Sequence, residues 1–88
     1  MKIVKLKDAE VKVLNNDCQS DILKKYLANG YFDSKSSSLV LMLNEEDLRV
    51  IDDELIALIT EKGTDQDGEI NSFGKILDHL IDKFNHYD

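Results

Sequence analysis

The sequence predicts a small α+β domain: an N-terminal antiparallel sheet made of a hairpin and one buried strand, a short helix, and a C-terminal antiparallel two-helix hairpin. Three observations predict it. Residues 3–14 alternate apolar and polar side chains in two short stretches, with the period of a half-buried strand. Leu39–Leu43 is an unbroken apolar run of strand length. Residues 45–84 place apolar side chains every three or four positions, in two stretches joined by a polar connection. At 88 residues, with 42% hydrophobic and 33% charged side chains, the chain is sized for one core, so a single domain over 1–88 is expected.

Val4 and Leu6 point one way and Lys5 and Lys7 the other. Val11 and Val13 repeat the period around Lys12, so residues 7–10 are expected to turn an N-terminal hairpin. Asn15–Asp17 reads as a loop ending in a helix cap at Asp17, with Ser20 as a second candidate. Cys18, Ile22, Leu23, Tyr26 and Leu27 then follow helical spacing. Asn29-Gly30 closes that helix in a Schellman ending with Tyr26 against Tyr31; a hairpin turn at Asn29-Gly30 is the competing reading. The polar stretch Asp33–Ser38 is expected as a surface loop, and Leu39–Leu43 as a strand buried on both faces at the centre of the sheet.

Asn44 caps a helix whose first turn, Glu45-Glu46-Asp47, sets acids at the positive end of the helix dipole. Leu48, Ile51, Leu55, Leu58 and Ile59 form its stripe, and Gly63 its end. After the connection Thr64–Asn71, Phe73, Ile76, Leu77, Leu80, Ile81 and Phe84 share one face of the last helix. Two such helices pack stripe to stripe.

The net charge of −7 argues against direct binding of nucleic acid or an anionic membrane, which needs clustered Lys and Arg. Lys2, Lys5, Lys7, Asp8 and Glu10 interrupt any leader-like apolar stretch, so no signal peptide is expected, and five apolar residues in a row are far fewer than the roughly 20 that span a bilayer. Cys18 is the sole cysteine and has no helper motif, which reads as a small apolar side chain in a reducing, cytoplasmic setting. His79 and His86 lie seven apart near a helix C-terminus, where a partly protonated imidazole is electrostatically favoured, and lack the ligand set of a metal site. Without a nucleophile triad, a phosphate loop or a dinucleotide glycine pattern, neither enzyme activity nor a cofactor is expected.

Three stretches carry candidate function. Asp65-Gln66-Asp67-Gly68-Glu69-Ile70-Asn71 resembles the middle of an EF-hand calcium loop, with Asp65, Asp67 and Asn71 at ligand positions; Gly63 and Gly74 stand where the first and last ligands would be. Gly30-Tyr31-Phe32-Asp33-Ser34, followed by Val50–Leu55 and by Ser72 opening the last helix, is similar to the attachment site of acyl and peptidyl carrier proteins. That resemblance implies phosphopantetheine on Ser34 and a helix after it, where this chain has Lys35 and a serine run.

The third is on helix 45–62. Val50 and Ala57, with Ile56 at the edge, lie off the main stripe, so this side is either sandwiched between the sheet and the last helix or meets another chain. Residues 1–44 hold seven lysines and five acids, and residues 45–88 four bases and thirteen acids, so the halves carry +2 and −9. Glu46, Asp53, Glu54 and Glu61 surround the apolar patch. The expected role is therefore a non-enzymatic adaptor or inhibitor, docking on a basic protein surface such as that of a nucleic-acid-binding protein, with a homodimer as a further arrangement.

Overall fold

A computed structural model describes residues 1–86. In chain order these form β1 (Lys2–Lys7), α1 (Asp8–Lys12) running on into a π-helical turn (Val13–Asp17), α2 (Asp21–Ala28), β2 (Tyr31–Asp33), β3 (Ser38–Leu43), α3 (Glu45–Lys62) and α4 (Ser72–His86). The fold class is the α+β arrangement expected: a three-stranded antiparallel sheet, a short helix and two C-terminal helices.

The strand order is β1-β3-β2, so the apolar run Leu39–Leu43 supplies the central strand. Antiparallel register sets Val4 opposite Leu41 and Leu6 opposite Leu39 on one face. The helices cover this face: Leu14, Cys18 and Leu23 join Leu48, Ile51, Leu55 and Leu58 of α3 and Leu77, Leu80 and Phe84 of α4 in one cluster. On the opposite face β3 is buried at Val40, 2% exposed, between Lys5 and Tyr31, but not along its whole length. Met42, expected to be buried, is 55% exposed on the opposite face.

The N-terminal hairpin is a correction. Residues 8–17 are helical, and the sheet's hairpin is β2–β3, with residues 34–37 as its tight turn. The physical reason lies in three local interactions and one packing gain. The Glu10 carboxylate accepts the Lys7 N–H at 2.8 Å, Lys12 pairs with Asp8 one turn earlier at 3.3 Å, and the Cys18 N–H reaches the Val13 carbonyl at 3.0 Å across the π turn. Helical winding also brings Val11, Leu14 and Cys18 to the core, whereas a strand would turn Val13 and Leu14 to opposite faces.

Two helix ends differ as well. Ser20, not Asp17, caps α2: its Oγ accepts the Leu23 N–H at 3.3 Å, which leaves Cys18 before the helix. Gly30 is not left-handed, so the Schellman ending does not form, and the Tyr26 hydroxyl donates instead to Asp47 at 3.1 Å. Glycine is needed at 30 because a Cβ would sit 2.9 Å from the Val40 carbonyl oxygen. The cap of α3 is as expected, with Asn44 Oδ1 accepting the Asp47 N–H at 2.7 Å and Asp47 Oδ2 accepting the Asn44 N–H at 3.1 Å. Contacts of Gly63 with Gly74 at one end, and of Asp52 with Asn85 at the other (3.1 Å), fix α3 and α4 as an antiparallel pair.

Candidate functional site

α3 turns Leu48, Ile51, Leu55 and Leu58 inward, which forces Glu46, Val50, Asp53, Ala57 and Glu61 into one line on its far side. Glu46, Asp53, Ala57 and Glu61 are exposed, while Val50 and Glu54 are half-buried. The helix is thus not sandwiched. The sheet and α4 take its leucine stripe, and only α2 approaches the second patch.

That approach makes a shallow groove between α2 and α3, lined by Ile22, Val50, Asp53 and Glu54. Glu54 Oε2 accepts the Ser20 hydroxyl at 3.1 Å, so one acid of the patch holds the α2 cap against α3. The other acids are not consumed internally. Among the described residues the ion pairs are Lys12–Asp8 and Lys83–Glu10, and neither uses an α3 carboxylate. Asp47 and Asp52, by contrast, are spent on the α3 cap, Tyr26 and Asn85. What remains is an apolar centre (Ile22, Val50, Ala57) rimmed by Glu46, Asp53 and Glu61. Ile56, 48% exposed, lies on the other flank of the helix and outside this patch.

Sequence reasoning missed Ile22 as a surface residue. The signal was available: Leu23, Tyr26 and Leu27 define the inward side of α2, and Ile22 stands one residue, about 100°, off it.

The other candidate residues are placed as follows. Ser34 is exposed in the β2–β3 turn, where Asp33 accepts the Lys35 N–H at 3.1 Å and the Ser36 hydroxyl at 3.0 Å; strand β3, not a helix, follows. In the α3–α4 loop, Asp65 Oδ1 accepts the N–H groups of Asp67 (2.9 Å) and Glu69 (3.0 Å), and Thr64 bridges Ile70. Asn71 is the cap of α4: Oδ1 accepts the Gly74 N–H at 2.8 Å and Nδ2 donates to the Lys62 carbonyl at 3.0 Å. The polar atoms of Asp65 and Asn71 thus organise backbone, and no group of three His, Cys, Asp or Glu that could hold a metal ion occurs among the described residues.

Burial, reinforced by the neighbouring Asp17 charge, pushes the Cys18 thiol up to about 11, which leaves it a thiol at neutral pH. The charge of His79 acts on Glu10; the His86 side chain lies outside the described residues. No helix among the described residues is long and apolar enough to cross a membrane. Comparisons with protein-family models, with curated proteins and with solved structures find no match.

Proposed function

We propose that the protein is a non-enzymatic interaction module, an adaptor or inhibitor, that docks on a basic protein surface through the outer side of α3 and the groove it shares with α2. The observation carrying this reading is the line Glu46–Val50–Asp53–Ala57–Glu61, which joins exposed apolar atoms to carboxylates that have no cationic partner among the described residues. Such a patch suits both stages of association. The apolar centre with Ile22 gains by losing water, and the acids steer a basic partner into place and reject acidic ones. A nucleic-acid-binding protein, whose own surface is basic, fits this chemistry, and a cytoplasmic setting accords with the single thiol.

Asp53→Lys combined with Glu61→Lys tests the reading, because neither residue holds the α2 cap. Proteins captured from the native host at low salt should be lost from the double variant, with circular dichroism unchanged. An identical captured set, with the same salt sensitivity, rejects the proposal.

A further inference from the structure

The helices cover one face of the sheet and leave the other bare. On the bare face the register sets Ile3 beside Met42, then Lys5, Val40 and Tyr31 in one row across the three strands, then Lys7, Ser38 and Asp33. A sheet face that meets water alternates to polar side chains. Here Ile3, Tyr31 and Met42 are 44%, 57% and 55% exposed around a buried Val40. The charge on this face is positive. Lys5 and Lys7, which have no ion pair among the described residues, outnumber the one carboxylate on it, Asp33, whose oxygens turn to the Lys35 N–H and the Ser36 hydroxyl of its own turn.

The strand edges do not invite an added strand: β1 carries lysines at 2, 5 and 7, and β2 is three residues long. Two copies packed face to face would oppose Lys5 and Lys7 of one to those of the other. At about 3.3 Å per residue, the six-residue strands β1 and β3 run roughly 20 Å, the length of a helix of three to four turns. We propose that this face takes an acidic amphipathic helix of a partner protein, laid along the strands, with its apolar stripe on Ile3, Tyr31 and Met42 and its carboxylates toward Lys5 and Lys7. Such a helix completes the third layer of an α/β/α sandwich. The site is independent of the α3 patch, which has the opposite charge.

The test is a titration of the full ¹⁵N-labelled chain with a helical peptide of about 14 residues built from Leu, Ala and Glu, beside the same peptide with Lys for Glu. The acidic peptide should move the amide resonances of Ile3, Lys5, Val40 and Met42, and Lys5→Glu with Lys7→Glu should weaken it by about tenfold or more while leaving the spectrum otherwise dispersed. Three results overturn the proposal: no movement at this face at millimolar peptide, equal movement with both peptides, or concentration-dependent movement without peptide, which would make a second copy the occupant.

Discussion

Glu10 and Lys83 meet at 2.6 Å with 14% and 19% of their side chains exposed, and they tie α1 to α4. Burial by itself would raise the Glu10 carboxyl. The Lys83 hydrogen bond, the Lys7 N–H and the charges of Lys83 and His79 outweigh it and hold the group below the usual glutamate range. The folded chain therefore binds this proton less readily than the unfolded chain. The stability Glu10 contributes is complete above the unfolded value and is lost as pH falls through the lower folded one. Glu10→Gln is expected to cost about 1–3 kcal/mol at pH 7 in urea unfolding, and the wild-type advantage should shrink between roughly pH 5 and 3. A gap that stays constant over that range would show that the pair's charge is not what stabilises it. This pairing was not legible beforehand, because 73 residues separate the partners and periodicity reports only what lies within a turn or two.

The helical hairpin was the most legible element, since its two stripes, the Asn44 cap and the polar connection are all local signals. Its tightest point was not. Gly63, half of that contact, was expected only as a helix end. In the fold, a Cβ on Gly74 would collide with the Gly63 carbonyl oxygen, and that oxygen already accepts the Asn71 N–H at 2.9 Å. Gly74→Ala should destabilise by about 1–3 kcal/mol, because the neighbour that must move is backbone. Gly68→Ala meets open space and carries only the cost of its positive φ, about 1 kcal/mol. Urea midpoints rank the two; a Gly74→Ala variant as stable as wild type would mean that the helix ends separate without cost. Residues 8–17 failed in the opposite sense: two valines around a lysine fit a strand locally, and the gain from burying Leu14 and Cys18 against α3 and α4 overrode that preference.

Across the molecule, charge is divided between two bare surfaces: carboxylates along the outside of α3, and lysines on the open side of the sheet. The acids outnumber their cationic partners, and the chain carries −7 in total. Self-repulsion should therefore limit stability at low ionic strength. Raising sodium chloride from about 20 to 300 mM shortens the screening length to well below the molecule's 42 Å long axis, and should raise the thermal midpoint. A gain of about 1 kcal/mol corresponds to about 4–8 °C for a domain of this size. A midpoint that falls with salt would show instead that attractive pairs dominate the field.

Periodicity and caps in the sequence determined that there would be a sheet, a short helix and two amphipathic helices, which residues of α3 face inward, and that an apolar patch ringed by acids lies off its main stripe. These are properties of one element at a time, set by interactions a few residues long. Only the tertiary structure decided that residues 8–17 are helical, that the α3 patch is not sandwiched and is joined by Ile22 through α2, and that one side of the sheet carries no helix. Each of these depends on which surfaces meet across the chain, and burial against distant partners outweighs the small local preference that a single segment can express.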